Sequence, residues 1–152
     1  MNKPLKRAVE LQLLSHDHHH GLQLCWKIRT GFFKQIEPER IKIYTDWFFK
    51  MHLLPLFELE EKYAFTILDP ESELVKRALT EHRRLKRLFK QTSDLEKFLG
   101  HIEEELVAHI RFEERILFAE VQKRASAAQL AKINEIHSGE AFVEKEDDVF
   151  WK

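Results

Sequence analysis

Apolar side chains recur at helical spacing through four long segments of the chain. The first predicted helix begins a few residues after Pro4 and ends near Phe33. Its apolar stripe consists of Leu11, Leu14, Leu22, Cys25, Ile28 and Phe32. A second long helix is predicted over residues 38–68, because Pro38 suits a first helical turn and an apolar column follows it. Pro55 lies inside this helix and predicts a kink, since it removes one backbone hydrogen bond and crowds the preceding turn.

Capping signals predict where the later helices begin. Asp69, followed by a proline and a glutamate, is typical of an N-cap and opens a third helix. Residues 93–96 (SDLE) form a candidate capping box that opens the fourth helix. A second box at 126–129 (SAAQ) predicts a short fifth helix, and Gly139 is expected to end it.

These elements predict an all-α fold. Four long helices joined by short loops favour an antiparallel up-down four-helix bundle, followed by a short fifth helix and a C-terminal tail. The 152 residues suffice for a single domain over 1–152, with the bundle at about 9–123 and the C-terminal helix and tail at 126–152. The tail carries Phe150 and Trp151, which we expect to pack on the bundle or on a second subunit of a homodimer.

The amino-acid composition limits the kinds of binding partner and the cellular compartment expected for the protein. The 25 basic and 26 acidic side chains give a net charge of −1, which favours neither a nucleic-acid nor a membrane surface. The only cysteine, Cys25, leaves no internal disulfide and suits a reducing compartment. The N-terminal residues lack a signal-peptide pattern, and no apolar run is long enough to span a bilayer. A cytoplasmic protein is therefore expected.

Polar side chains interrupt the apolar stripes of all four predicted helices. His109 and Glu113 lie one turn apart and point the same way, and His18, Glu60 and His82 fall on the inward stripes of the other helices. A buried imidazole or carboxylate needs a hydrogen-bonding network or a metal ion. One such residue is usually a hydrogen-bonded core residue, but convergence from four helices favours iron, manganese or zinc, with carboxylates able to bridge two cations.

The histidine run at residues 16–20 has two interpretations. His18 lies on the apolar stripe and is the preferred ligand, whereas His19 is rotated by roughly 100° and is the second choice. The run could instead be a surface patch that scavenges metal ions.

The segments that carry these residues are SHDHHHGL (15–22), HLLPLFELEE (52–61), TEHRRLKRL (80–88) and HIRFEERILF (109–118). In order and spacing they resemble the hemerythrin-like, or HHE cation-binding, family, and the resemblance extends to about residue 123. The resemblance implies that Glu60 and Glu113 bridge a di-iron centre, with His18, His82 and His109 as terminal ligands. Such domains bind oxygen or act in oxygen, redox or iron sensing.

The chain departs from the family pattern at two positions. Leu56 stands where the second motif normally has a histidine, and Lys86 stands where the third helix often has another. His52 lies on the same ridge as Glu60 but roughly 12 Å along the axis, so it is a lower-ranking ligand candidate. The remaining donors predict one or two non-haem iron ions, or another divalent metal.

Three functions are consistent with these features. The leading hypothesis is a metal-binding protein that binds dioxygen or a small anion, or senses oxygen, redox state or iron. The second is a degenerate, metal-free bundle that acts as an interaction module. The third is a small iron-dependent enzyme of oxygen or peroxide chemistry, which fold analogy alone does not separate from the first.

Overall fold

The computed structural model of the protein describes residues 6–137 and 142–152. Every regular element in those ranges is helical and none is a strand, which confirms the predicted all-α class. The α-helices are α1 (Val9–Phe33), α2 (Pro38–Phe48), α3 (Leu54–Leu59), α4 (Glu73–Phe89), α5 (Leu95–Phe112), α6 (Phe118–Arg124) and α7 (Ala127–Ile136). Three π-helical turns, π1 (Phe49–Leu53), π2 (Glu60–Ala64) and π3 (Glu113–Leu117), and a 3₁₀ turn (Phe65–Ile67) complete the set.

The second predicted helix is a continuous helical run that contains two π turns. It comprises α2, π1, α3, π2 and the 3₁₀ turn. In π1 the backbone N–H of Leu54 donates to the carbonyl oxygen of Phe49, five residues earlier. Pro55, which has no N–H, follows directly. A π turn therefore lies just before the proline at which a kink is predicted.

The predicted N-cap of the third helix is wrong by three residues. The helix α4 begins at Glu73, and Ser72, in extended backbone, occupies the N-cap position. Asp69 instead accepts a hydrogen bond from the backbone N–H of Glu71 at 2.8 Å. Its side chain thus closes a local turn, a role for which aspartate competes with helix capping.

The two predicted capping boxes have opposite outcomes. The box at 93–96 is wrong: Asp94 takes the N-cap position of α5 in a left-handed conformation (φ 51°), and no side chain in the described ranges caps that turn. The box at 126–129 is confirmed, because the Ser126 hydroxyl accepts from the Gln129 N–H at 3.1 Å and the Gln129 amide oxygen accepts from the Ser126 N–H at 2.9 Å. Gly139 lies outside the described residues.

Packing centres on α1 and α5. These two helices contact each other; α5 also contacts α4, and α7 packs on α1 and π2. Gly21 allows α1 to approach α5 closely, since a Cβ there would lie 2.8 Å from Cδ1 of Ile110. Within the described ranges, no helix has the length and apolarity needed to cross a bilayer.

The C-terminal tail packs on the helices of its own chain. Phe150 is 2% exposed, and Trp151 is partly buried with its ring centroid 4.9 Å from that of Tyr44. A Cβ on Gly31 would lie 3.0 Å from the Phe150 ring, so this glycine makes room for the tail. The prediction that both aromatics are packed is confirmed, and the contact lies within the chain.

A polar group anchors the same tail. Lys27 is buried and donates hydrogen bonds to Tyr44 (2.8 Å) and to the Glu144 carboxylate (2.6 Å), while the Tyr44 hydroxyl donates to Glu144 at 2.6 Å. The Lys27 ammonium also lies 4.3 Å from the Trp151 ring centroid. These contacts join the tail to α1 and α2.

Candidate metal centre

The five preferred ligand candidates lie buried in one place. Each is at most 3% exposed, and both carboxylates are fully buried. They come from α1, π2, α4, α5 and π3, and they are His18, Glu60, His82, His109 and Glu113.

Both buried carboxylates begin a π turn. Glu60 is the first residue of π2 and Glu113 the first residue of π3, and their backbone carbonyls accept from the N–H groups of Phe65 and Phe118, five residues later. A π turn inserts an extra residue into a helix and often occurs at a functional site. In each case a second glutamate follows immediately.

The two inner carboxylates each lie between two imidazoles. Glu60 places Oε2 3.0 Å from Nε2 of His18 and Oε1 3.3 Å from Nε2 of His82. Glu113 places Oε2 3.4 Å from Nε2 of His18 and Oε1 3.1 Å from Nε2 of His82. Nε2 of His109 is in close contact with Oε1 of Glu113. Each carboxylate therefore directs one oxygen toward His18 and the other toward His82.

The donors on the His82 side form the tighter group. One donor atom from each of Glu60, His82, His109 and Glu113 lies within 4.8 Å of all the others. These four residues could hold a metal ion. His18 approaches the same carboxylates from the opposite side.

Each inner imidazole also contacts an outer carboxylate through Nδ1. The pairs are His18 with Glu114 (2.6 Å), His82 with Glu61 (2.7 Å) and His109 with Glu81 (2.7 Å). A carboxylate on Nδ1 fixes the ring orientation and makes Nε2 the atom available to a metal, as is usual for metal-binding histidines.

The helical pattern of the sequence does not identify these outer carboxylates. Glu61, Glu81 and Glu114 are about one-third exposed, and their helical phase points them away from the apolar stripe. The signal was adjacency in the sequence, because two of them directly follow an inner glutamate and Glu81 directly precedes His82.

Three inner polar atoms are buried without a hydrogen bond of good geometry. Glu60 Oε1, His109 Nε2 and Glu113 Oε2 form none in the described part of the chain, although each lies within ion-pair distance of another inner side chain. A buried polar atom without a full hydrogen bond costs stability, and a bound ion is one common explanation. The donor set thus fits a cation, which carboxylate oxygens and imidazole nitrogens would bind.

Electrostatics in the centre favour added positive charge. Burial would lower the pKa of His82, but hydrogen bonds to Glu113, Glu60 and Glu61 outweigh it and raise this pKa to about 11. The pKa values of the other two inner imidazoles are raised in the same way. Burial and the charge of Glu113 raise the pKa of Glu60, whereas the charge of His109 and hydrogen bonds overcome burial and hold the pKa of Glu113 well below its usual range. Protons on the imidazoles or a metal cation can supply the positive charge.

Apolar side chains enclose the polar group. Phe57 stacks on His82 with ring centroids 3.8 Å apart, and Phe118 stacks on His18 at 5.2 Å. Leu56, one turn before Glu60, is only 5% exposed. These residues limit the access of water to the inner donors.

The two lower-ranking candidates lie elsewhere. His19 is exposed on α1, with its ring 5.9 Å from that of His20. His52 packs between aromatic rings, 5.1 Å from Trp47 and 4.6 Å from Phe142. Helical phase therefore selected His18 over His19 as the histidine of that run that meets the inner carboxylates.

Lys86, at the other position that departs from the family pattern, lies at the edge of the centre. Its ammonium is 3.8 Å from the outer carboxylate of Glu61. It therefore adds positive charge beside the Glu61–His82 pair without offering a metal-binding nitrogen in its charged form.

Comparison of the chain with protein-family models, with curated proteins and with solved structures finds no match. The likeness to hemerythrin-like proteins therefore rests on the four sequence motifs. The structure shows a buried cluster of glutamates and histidines that could bind a metal.

Proposed function

We propose that the protein is a hemerythrin-like metal-binding protein with a non-haem iron centre inside an antiparallel four-helix bundle. The bundle would consist of α1, the run from α2 to the 3₁₀ turn, α4, and the run from α5 to α6. The observation that carries the proposal is the pair of buried carboxylates, each with one oxygen toward His18 and the other toward His82. Carboxylates in this position can bridge two cations within a bundle core.

The two ends of the proposed centre are unequal. The end at His82 and His109 offers two imidazoles and one oxygen from each inner carboxylate, and we infer that it holds the first iron. The end at His18 offers one imidazole and the two remaining oxygens, so it would hold a second ion more weakly. We infer that Leu56, which stands where the family motif has a histidine, accounts for this difference.

The open coordination positions suggest the function. An iron ion at the weaker end would keep sites for dioxygen or a small anion, because few protein donors reach it. The ring of Phe118, stacked on His18, would slow the exchange of water there. We therefore propose binding or sensing of dioxygen, of redox state or of iron itself, with no role for a nucleic acid.

Metal content tests this proposal directly. The full chain, isolated without chelators, should contain about one iron per chain by elemental analysis, and His109→Ala/Glu113→Ala should lose it. The matched control is His101→Ala/Glu105→Ala, which removes a partly exposed pair of the same type and spacing, away from the inner donors (Nδ1–Oε2, 3.6 Å). Metal content that stays unchanged in the inner double variant would contradict the proposal.

A second measurement addresses the open positions. Azide added to the iron-loaded protein should produce new near-ultraviolet or visible absorption if an exchangeable position exists on the iron. An unchanged spectrum at saturating azide would argue for a metal site that binds no small ligand.

A metal-free interaction module is the competing function, and one observation favours it. The raised pKa of His82 indicates that imidazolium protons can neutralise the inner carboxylates without a cation. Protein that contains no metal, yet melts at the same temperature with and without added iron, would support this alternative.

A further inference from the structure

His20 is arranged as a metal ligand outside the buried centre. Its Nδ1 lies 3.3 Å from the side-chain oxygen of Gln23. An amide oxygen only accepts hydrogen bonds, so Nδ1 carries the proton and Nε2 keeps its lone pair. This Nε2 is buried and has no hydrogen-bond partner within residues 6–137 and 142–152. The inner histidines likewise have an acceptor on Nδ1, but their Nε2 atoms contact the inner carboxylates.

His16 supplies a second imidazole at the same place. It lies one helical turn before His20, and the two ring centroids are 5.0 Å apart with the planes nearly perpendicular (87°). Two histidines at this spacing on one helical face can bind the same ion, as in zinc sites of the HExxH type. Both residues line a cleft of about 740 Å³ beside α1, α3 and the C-terminal segment.

The cleft gives His20 a fixed orientation. The Phe142 ring stacks on His20 with centroids 4.3 Å apart and planes 14° from parallel, which restricts rotation of the imidazole. The His20 imidazole is therefore held in one orientation, unlike the side chains of a flexible surface histidine tract.

We propose that His16 and His20 form a second metal site, for zinc or another late divalent ion such as nickel or copper(II). Imidazole nitrogen is a preferred ligand of these ions, whereas magnesium and calcium prefer oxygen. Two protein ligands leave the remaining coordination positions to water or to a small molecule in the cleft. The site shares no ligand with the buried centre, so it does not depend on the function proposed above.

Zinc titration of the full chain tests this site. Competition with a chromogenic chelator measures how many zinc ions bind and how tightly. His20→Ala should remove one zinc equivalent or weaken it by more than about tenfold, since even an outer partner of a metal ligand is worth 10–100-fold. His16→Ala should have the same effect. His19→Ala, the matched control from the same run, should leave binding unchanged. Equal zinc binding by wild type and His20→Ala would overturn the proposal.

A background variant separates the two sites. In His109→Ala/Glu113→Ala the inner ligands are gone, and the zinc that depends on His20 should remain. Loss of all zinc binding in this background, in a variant that keeps its helical circular dichroism, would show that His16 and His20 bind none by themselves and would overturn the proposal.

NMR line broadening by copper(II) tests the site in the wild-type protein, without any substitution. A substoichiometric amount should broaden the imidazole NMR signals of His16 and His20 in wild type, together with that of His19, whose ring lies 5.9 Å from His20, while sparing His101 on α5. Broadening of His101 without His16 and His20 would contradict the assignment.

Discussion

Glu114 holds Nδ1 of His18 at 2.6 Å, although 96 positions separate the two residues in the sequence. The glutamate lies on π3 and the histidine on α1, so this contact joins two elements that both reach the buried centre. It also decides which nitrogen of His18 faces Glu60 and Glu113. The outer carboxylate therefore positions the ring, and the inner carboxylates contact its Nε2.

We expect Glu114→Gln to weaken iron binding without removing an inner donor. The amide keeps the size of the side chain but loses the charge that orients His18, and such partners are worth about 10–100-fold in metal affinity. Competition with an iron chelator measures the change. Glu104→Gln, at an exposed position on α5, is the control and should bind iron like wild type. Equal affinities for both variants would remove the positioning role of Glu114.

We expect Phe150→Ala to lower the free energy of unfolding by about 3–5 kcal/mol, because the ring is 2% exposed and its loss leaves a cavity under the tail. Urea unfolding followed by circular dichroism measures this. Phe33→Ala removes the same side chain where it is 88% exposed and should change the free energy little. A loss of similar size in both variants would show that the tail contact contributes no stability of its own.

The Lys27–Glu144 pair should make stability depend on acid pH. Burial would raise the pKa of Glu144, but hydrogen bonds from Lys27 and Tyr44 outweigh it and lower this pKa below its unfolded value of about 4.3. A lowered folded pKa means that the stabilisation is present above the unfolded pKa and is lost as the pH falls through the folded one.

We therefore expect Glu144→Gln to cost about 1–3 kcal/mol at pH 7, where it leaves the buried Lys27 ammonium without a charged partner. Near pH 3 the difference from wild type should shrink, because the wild-type carboxyl begins to protonate. Urea unfolding at both pH values checks this, with the exposed Glu146→Gln as the control. A difference that is the same at both pH values would exclude the ion pair as its cause.

Helical periodicity predicted the all-α class and the inward position of His18, because a stripe repeating every 3.6 residues fixes which side chains are buried. Starts of helices were less predictable. The side chain of Asp69 accepts a hydrogen bond within a local turn, and Asp94 adopts a left-handed backbone conformation. Such local roles of aspartate compete with helix capping. Local sequence carries both signals and does not decide between them.

Helical periodicity did not identify the outer carboxylates, for a different reason. Glu61 and Glu114 follow residues that start π turns, and a π turn shifts the helical phase of everything after it. A phase counted at 100° per residue therefore places them toward water, whereas the structure brings them to His82 and His18. The contacts join residues 21 and 96 positions apart, which only the folded chain reveals.

Substitution of Leu56 tests whether the two ends of the proposed centre differ in their affinity for iron. It lies one turn before Glu60 and is 5% exposed, so a histidine there would face the inner donors from the same helix. We expect Leu56→His to raise the iron content from about one toward two per chain, because it would supply a second imidazole at the weaker end. Elemental analysis of protein loaded with excess iron and then desalted measures the stoichiometry.

The melting temperature separates ligand gain from simple damage. Without iron, Leu56→His should melt below wild type, since a polar ring replaces a buried apolar side chain. With iron, the added ligand should offset that loss. Leu56→Ala is the control: it leaves a cavity and should cost about 2–5 kcal/mol whether or not iron is present. Two irons per chain in wild type, or no gain in Leu56→His, would show that position 56 does not limit the occupancy of the centre.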